Sequence, residues 1–368
     1  MRIKVFFWSL VCFFILLAGF IPIDYGFKED KAAFYLKSEN NVTAFEEFFN
    51  FFDPYKKHQI EIITTSEELE KLDNYMLENY AKYGVYRNSR NIKGDFIYRQ
   101  DDEVRYELKN IGFRTNGNGR KLGLIDYDPL YNLVNLNNFK ISFNETFSNE
   151  IMSNGKRLFL GMDKLNLKFN KTATKEESDV SSYINEVFAY LTYNDAGNLA
   201  PFAANVNLIL TIDGQQINMG VYTMIENIDK EFLKKRFSKK DNDGNLYKCL
   251  YRNGVFADLR LIDDLNFGIK NEEFNVYPTY DLKTNKKRPH FKDLEHFIKQ
   301  INTLEGNNLK KYLDTRLEVD DFLEYLAITY LIGDIDDFRF RGNNYYLYFA
   351  SRTNKVYFIP QDLDYVLG

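Results

Sequence analysis

The sequence predicts an α+β protein with two lobes. Strand patterns crowd its first part, helix patterns dominate its second part, and an apolar segment precedes both. With 368 residues, of which 45% are hydrophobic and 27% charged, the chain can bury a substantial core. A strand-rich lobe beside a helical lobe leaves a cleft, where we expect the functional site.

The first element is an uncharged apolar run, Val5–Ile23, which follows Arg2 and Lys4. Its length is close to the roughly 20 residues that a membrane-spanning helix needs. The basic flank favours a single-pass orientation with the rest of the chain outside the cytoplasm. Because no small-residue cleavage site follows Gly19, an uncleaved anchor is preferred to a removed signal; cleavage would leave a secreted protein.

These patterns divide the chain into four segments. Residues 1–25 form the anchor or signal, and residues 26–56 a juxtamembrane linker. Residues 57–228 form the strand-rich lobe and residues 229–368 the helical lobe.

The strand-rich lobe is predicted from alternating or apolar runs and from turn signals. Ser66 with Glu68 starts a helix after the strand IEIIT, and Asp213-Gly214 favours a type I′ hairpin turn. A later helix over SDVSSYINEVFAYLTYNDAG is capped by Asp179 or Ser181. The other predicted strands are two runs in DEVRYELKNIGFRTNGNGRK, NFKISF (138–143), KLNLKF (164–169) and the two arms of NVNLILTIDGQQINMGVYTMIE.

The helical lobe is predicted from apolar residues three and four positions apart. The chain then ends in two strand-like runs, which we expect to pair. The predicted helices are NIDKEFLKKRF, HFKDLEHFIKQIN and VDDFLEYLAITYLIGD, and the strands are NNYYLYFA and KVYFIPQDLD.

Charge and cysteine content exclude several classes of protein. The net charge of −5 comes without a long basic block, so no nucleic-acid partner is expected. The two cysteines are Cys12, inside the apolar run, and Cys249. An intramolecular disulfide is therefore not expected, and a thiolate metal cluster is excluded.

Carboxylate and amide groups concentrate near the end of the chain. The loop in GDIDDFRFRGNNYYLYF contains three Asp and two Asn residues, and FIPQDLDYVLG places Asp362 and Asp364 two residues apart. If the last two strands pair, these oxygens converge, and hard oxygen ligands suit Mg²⁺ or Mn²⁺. Such a site is typical of phosphoryl transfer, although either segment alone could be an ordinary polar turn.

Six sequence blocks, in this order and spacing, resemble the spore coat protein H (CotH) family of atypical secreted kinases. The resemblance covers about residues 57–368. It implies a diverged protein-kinase-like fold that uses ATP and a divalent metal to phosphorylate Ser residues of bacterial surface or coat proteins. The blocks are IGFRTNGNG, NFKISF, IDGQQINMGVYTMIENIDKEFLKKRF, GNLYKC, FLEYLAITYLIGDIDDFRFRGNNYYLYF and VYFIPQDLDYVLG.

The resemblance assigns roles to the acidic residues. Asp336 matches the catalytic-loop Asp that accepts the hydroxyl proton, and Asn344 matches the metal-binding Asn. Asp362 matches a metal-binding Asp, and Asp364 is the second acid of the family's DxD. The spacing from Asp336 to Asn344 is longer than in typical kinase loops, so Asp337 and Asn343 remain alternatives.

The resemblance also predicts residues that bind ATP. Arg114, Asn116 and Gly117 match a loop that approaches the phosphates. Tyr222 and Glu226 fall in the block expected to connect the lobes where adenine lies, although they could equally belong to a hairpin strand.

Lys140 is predicted to pair with the phosphates, and Glu186 to form its ion pair; each could instead be a surface charge.

The family usually continues past the DxD with further helices, so we expect that this chain is either a fragment of a longer product or has a minimal helical lobe. Two other functions stay open: a surface adhesin on the same scaffold, and a metal-dependent phosphodiester hydrolase. The hydrolase is disfavoured because His58, His290 and His296 lie far from the Asp cluster in sequence.

Overall fold

The computed structural model of the protein describes residues 42–117, 122–123, 127–128, 133–134, 137–145, 147, 156–169, 183–252, 254–261 and 266–367. The predicted membrane segment and the predicted caps Asp179 and Ser181 lie outside these residues. Within the described ranges, none of the helices is both long and apolar enough to cross a bilayer.

The first lobe is a closed barrel of seven strands in the order β1-β2-β3-β6-β7-β9-β8. Strands β1 and β8 close it in parallel, and the other neighbours are antiparallel. Two short strands, β4 (Tyr127–Asp128) and β5 (Leu133–Val134), pair separately. The barrel strands are β1 (His58–Thr64), β2 (Ile92–Gln100), β3 (Glu103–Asn116), β6 (Asn138–Ser142), β7 (Lys164–Phe169), β8 (Ala203–Ile212) and β9 (Gln215–Glu226).

Successive side chains of a strand point alternately into the barrel and away from it. On β7, Leu165 and Leu167 are buried in the barrel core, whereas Lys168 points away from that core. The predicted hairpin is confirmed: β8 and β9 meet at Asp213 and Gly214, both with positive φ (49° and 84°), as a type I′ turn requires.

The described part of the segment before the barrel contains a helix. Helix α1 (Val42–Phe51) packs on the barrel because Phe48, Phe51 and the following Phe52 are almost completely buried, at 1%, 1% and 3% exposure. The prediction of a linker was therefore wrong for this part of 26–56. Helix α2 (Ser66–Tyr83) forms as predicted, but its N-cap is Thr65, whose hydroxyl accepts a hydrogen bond from the Glu68 N–H.

The second lobe combines helices with a five-stranded sheet in the order β11-β12-β10-β13-β14. The predicted pairing of the last two strands is confirmed. Its strands are β10 (Asn245–Cys249), β11 (Phe267–Gly268), β12 (Tyr280–Leu282), β13 (Tyr345–Phe349) and β14 (Val356–Pro360). Its helices are α4 (Lys230–Arg236), α5 (Lys292–Thr303), α6 (Gly306–Arg316), α7 (Val319–Leu331) and α8 (Phe338–Arg341).

Helix α3 (Asn185–Asp195) lies where the lobes meet. It follows β7 in the chain, yet Ala189, Tyr190 and Tyr193 belong to the core of the second lobe. The Tyr193 hydroxyl lies 2.5 Å from Thr329 Oγ1 of helix α7. Asn185 Nδ2 donates to the Val366 carbonyl at 3.1 Å, which holds the start of α3 beside the residues that follow β14.

Candidate functional site

The centre of the site is Lys168, at the end of β7. Its ammonium group lies 3.1 Å from Glu186 Oε1 on α3 and 3.4 Å from Asp364 Oδ2, and it also donates a hydrogen bond to Asp362 Oδ1. The Lys168 side chain is 15% exposed, whereas that of Asp362 is 42% exposed. One cation thus joins the barrel, the helix and the DxD.

The DxD turn is fixed by its backbone. Asp362 has a φ of 62°, a conformation that Asp and Asn tolerate better than most residues. Its N–H donates to the Tyr190 hydroxyl at 3.1 Å, and the Gln361 N–H donates to the Asn344 carbonyl at 3.0 Å. The turn is therefore tied both to helix α3 and to the loop before β13.

In that loop Asp336 accepts hydrogen bonds from two amide side chains. Asn343 Nδ2 lies 3.2 Å from Asp336 Oδ1, and Asn344 Nδ2 lies 2.9 Å from Asp336 Oδ2. Asn343 and Asn344 were alternatives for the same role, and the structure shows why they are hard to tell apart: both donate to the Asp336 carboxylate. The backbone hydrogen bond from Gln361 to Asn344 then places Asp336 and the DxD at the same end of the β13–β14 pair.

Burial and charge shift the pKa values in the site. Burial alone would lower the pKa of Lys168, but Asp362, Glu186 and Asp364 outweigh it and raise that pKa well above its usual range. Burial raises the pKa of Glu186 to about 7, and Lys168 opposes the shift. Burial likewise raises the pKa of Asp334 to about 7, while its bond from the Asp336 N–H opposes the shift.

The predicted ion pair between Lys140 and Glu186 was wrong. Lys140 lies on β6, and its ammonium donates to Asn227 Oδ1 at 3.1 Å, whereas Glu186 pairs with Lys168 on the neighbouring strand. Burial is the main reason that the pKa of Lys140 lies well below its usual range. The useful sequence signal was chain order: of the two outward lysines on β7, Lys164 and Lys168, the second lies nearer in sequence to α3.

Asp337 has a structural role and is not retained as a catalytic alternative. Its carboxylate accepts from the Arg339 and Phe340 N–H groups at 2.9 and 3.0 Å and therefore caps helix α8. It also lies 2.5 Å from the Arg339 guanidinium, with its side chain only 3% exposed. Because this carboxylate is almost completely buried in the helix cap and the ion pair with Arg339, an acceptor hydroxyl cannot approach it.

Tyr222 and Glu226 do not line a connection between the lobes. Both belong to β9, and Tyr222 is fully buried with its hydroxyl donating to the Asn137 carbonyl at 3.1 Å. The Glu226 carboxylate is buried and lies 2.6 Å from Arg236 and 3.1 Å from Lys235. Both residues therefore belong to the hairpin strand that was the alternative, and the connection to α4 begins only after β9; their contact with adenine stays a prediction.

Arg114, Asn116 and Gly117 lie at the end of β3, as their block predicts. Arg114 is half-buried and donates to the carbonyls of Asn88 and Thr115 at 3.1 and 3.0 Å. Gly117 has a φ of 83°, which suits a turn leaving the strand. The following residues 118–121 lie outside the described residues, and the contact of this loop with phosphate stays a prediction.

The donor set fits a hard divalent cation. Asp362 and Asp364 offer carboxylates and Asn344 an amide oxygen, and such ligands leave positions for phosphate oxygens and water. No group of three or more His, Cys, Asp or Glu side chains arranged for a metal occurs in the described part of the chain. The candidate set is thus two carboxylates and one amide, which is sufficient for a cation that shares its coordination with a substrate.

The barrel, the helical lobe and the oxygen-rich site define an α+β protein in which acidic and amide side chains meet a buried lysine. Residues 133–368 match the family model described as CotH kinase protein. The chain therefore belongs to the CotH family, as its sequence blocks predict.

A curated relative supports the same family. The chain is 28% identical over 176 residues to the inner spore coat protein H of Bacillus subtilis (strain 168). The matched region makes up 48% of this chain and 44% of that relative. The chain thus matches less than half the length of the relative.

Proposed function

We propose that the protein is an atypical protein kinase that transfers the γ-phosphate of ATP to Ser hydroxyls of proteins outside the cytoplasm. One observation carries the proposal: Lys168 joins Glu186 to the DxD carboxylates, while Asp336 is held beside Asn344. A cation, a divalent-metal donor set and a positioned carboxylate are the parts that phosphoryl transfer requires. The family description and the name of the relative support this proposal.

In this proposal Asp336 acts as the general base. It accepts the proton of the Ser hydroxyl as the hydroxyl oxygen forms a bond to the γ-phosphorus. The bond from that phosphorus to the β–γ bridging oxygen breaks, and ADP leaves with the electron pair. Asn343 and Asn344 hold both oxygens of Asp336, so the base is oriented before the acceptor arrives.

The remaining residues bind and orient ATP. Asp362, Asp364 and Asn344 would hold Mg²⁺ or Mn²⁺, which when bound offsets the negative charge of the phosphate oxygens. Lys168 is kept protonated by its carboxylate partners and is therefore available as a cation for the phosphates. The ion pair with Glu186 orients the Lys168 side chain.

We further propose that the protein acts outside the cytoplasm, with residues 1–25 as a membrane anchor or a cleaved signal. The name of the relative is consistent with substrates in the spore coat or on the cell surface. The protein partners would be Ser-containing surface proteins.

Isothermal titration of the full chain with ATP, with and without Mg²⁺ or Mn²⁺, tests the proposal. We expect binding that needs the metal and that is lost in Asp362→Ala, because a ligand is removed. Asp243→Ala, which changes an exposed carboxylate away from the site, should bind as the wild type does. Failure of the folded wild-type protein to bind ATP would contradict the kinase proposal and favour a binding scaffold.

A further inference from the structure

Two arginines, one from each lobe, lie against the same tyrosine ring. The guanidinium carbon of Arg87 is 4.3 Å from the centre of the Tyr277 ring, and that of Arg252 is 5.9 Å from it. Arg87 follows helix α2 of the first lobe, whereas Arg252 and Tyr277 belong to loops of the second. The same loops make another contact, because the Tyr83 hydroxyl donates to the Glu273 carbonyl. Arg87 and Arg252, which we call the arginine pair, therefore lie on one surface that both lobes form.

The arginine pair has no acidic partner in the part of the chain that the structure describes. Neither guanidinium group donates a hydrogen bond or forms an ion pair there. Lys270 Nζ is 5.2 Å from the same tyrosine ring, but Glu272 pairs with it. Both arginines are only partly exposed, and burial together with the charge of Arg87 lowers the pKa of Arg252. An anion bound between the two guanidinium groups would relieve their repulsion and accept hydrogen bonds from both.

A tight turn holds Arg252 close to the proposed base. Arg252 and Val255 exchange two backbone hydrogen bonds, at 3.0 and 2.9 Å. The preceding Tyr251 N–H donates to Asn343 Oδ1 at 2.9 Å, and Asn343 Nδ2 lies 3.2 Å from Asp336 Oδ1. Two hydrogen bonds and one residue of chain thus separate Asp336 from Arg252, a path on the order of 10 Å or three residues of extended peptide.

The same turn carries exposed aromatic side chains. The rings of Tyr251 and Phe256 are 4.8 Å apart, and the two side chains are 44% and 40% exposed. A peptide that lies across these rings would bury apolar area while an acidic side chain reached the arginine pair. Apolar surface beside positive charge suits a segment of polypeptide better than a small inorganic anion.

We propose that the arginine pair binds an acidic side chain of the protein substrate, so that the kinase prefers a Ser about three residues from an Asp or Glu. The proposal rests on the proposed kinase activity and specifies its substrate class. Neither arginine is among the residues predicted to bind ATP or the metal. Since one arginine comes from each lobe, a carboxylate that bridges the pair would also connect the lobes while the substrate is bound.

A positional peptide library tests this inference with the full chain. Each pool contains one acceptor Ser and a fixed Glu at one position from four residues before it to four after it, and matched pools have Gln or Lys there. We expect kcat/KM to be about tenfold higher for Glu than for Gln at one or two positions, as a charge-assisted hydrogen bond would provide.

Substitutions in the arginine pair separate recognition from turnover. Arg87→Met and Arg252→Met should each remove most of the preference and leave kcat/KM for the Gln pools unchanged. Arg252→Glu should reverse it, so that Lys pools become the better substrates. The control is Arg105→Met, which changes a half-exposed arginine of β3 that lies 3.8 Å from Glu103 and should leave the preference unchanged.

Titration with ATP and Mg²⁺ separates the possible failures. Unchanged ATP affinity in Arg252→Met, with the preference lost, supports the inference. A raised Kd for ATP in that variant would assign the pair to the nucleotide and overturn the inference, leaving the kinase proposal intact. Equal use of Glu, Gln and Lys pools by the active wild type would overturn it as well. If the wild type binds no ATP, the kinase proposal itself fails, and the inference with it.

Discussion

The ammonium of Lys168 and the carboxylate of Glu186 lie 3.1 Å apart, and this pair connects the last barrel strand before α3 to the helix itself. Both side chains are buried, at 15% and 8% exposure. The same ammonium contacts both acids of the DxD. Lys168 therefore reduces the repulsion among three carboxylates that lie close together.

Lys168→Met should destabilise the protein, because it leaves these three carboxylates without their cation. We expect a loss of about 3 kcal/mol in the free energy of unfolding, partly restored by millimolar Mg²⁺. Urea unfolding with and without Mg²⁺ measures both effects. The matched control is Lys140→Met on the neighbouring strand, which removes a buried lysine that has no carboxylate partner in the described part of the chain. An equal loss in both variants would contradict the assignment.

Asp336 and Asp337 are adjacent in sequence, but substitution of Asp336 should lower activity, whereas substitution of Asp337 should lower stability. Asp336→Asn should lower kcat by about 10²–10⁴, as expected for loss of a general base, with ATP affinity and stability largely retained. Asp337→Ala removes a helix cap and a buried ion pair and should lower the free energy of unfolding by about 2 kcal/mol. Phosphate transfer to a Ser peptide and thermal unfolding distinguish them. If Asp337→Ala instead lost activity with its stability retained, and Asp336→Asn lost only stability, Asp337 would be the general base.

Glu226 should contribute to the stability of the fold and not to the affinity for ATP. Its buried carboxylate compensates both Arg236 and Lys235, so Glu226→Gln should cost about 3–5 kcal/mol. Tyr222→Phe, which loses one hydroxyl bond on the same strand, should cost about 1 kcal/mol. Urea unfolding provides both values, and titration at a temperature where the variant is folded should find unchanged ATP affinity. Weakened ATP binding by the folded Glu226→Gln protein would restore its predicted ligand role.

Most secondary structure could be predicted because its signals are local. The turn at Asp213-Gly214 and the helix that follows Asp229 depend only on residues close in sequence. The choice between Lys140 and Lys168 was not local, since both are outward lysines on adjacent strands. Only the position that α3 takes in the folded chain decides which lysine meets Glu186.

Other errors have the same origin. The Phe-rich segment before β1 has no charge pattern that reveals its partner, yet Phe48 and Phe51 complete the barrel core. Asp336 and Asp337 look equivalent in sequence. The start of helix α8 separates them by using Asp337 as its cap. The acidic and basic candidate residues could thus be found in the sequence, but the residues that they contact could be identified only from the tertiary structure.

The carboxyl groups of Asp163 and Asp229 face each other and should make stability depend on pH. Burial and the nearby Asp163 raise the pKa of Asp229 to about 7, whereas its neighbours hold the pKa of Asp163 well below its usual value despite burial. Between about pH 4 and 7 the folded protein therefore binds a proton at Asp229 that the unfolded chain has lost. The free energy of unfolding should fall as pH rises through this window.

Asp229→Asn should flatten that fall, because the neutral amide cannot titrate. Its side-chain oxygen can still accept from the Glu231 and Phe232 N–H groups that Asp229 caps. Part of the slope should remain, since the pKa values of Glu186 and Asp334 are also raised to about 7. Urea unfolding at pH 5, 6, 7 and 8 measures the slopes, with exposed Asp243→Asn as the control. Parallel slopes in wild type and Asp229→Asn would show that the pair does not share a proton, and Asp229 would then be a charged cap at neutral pH.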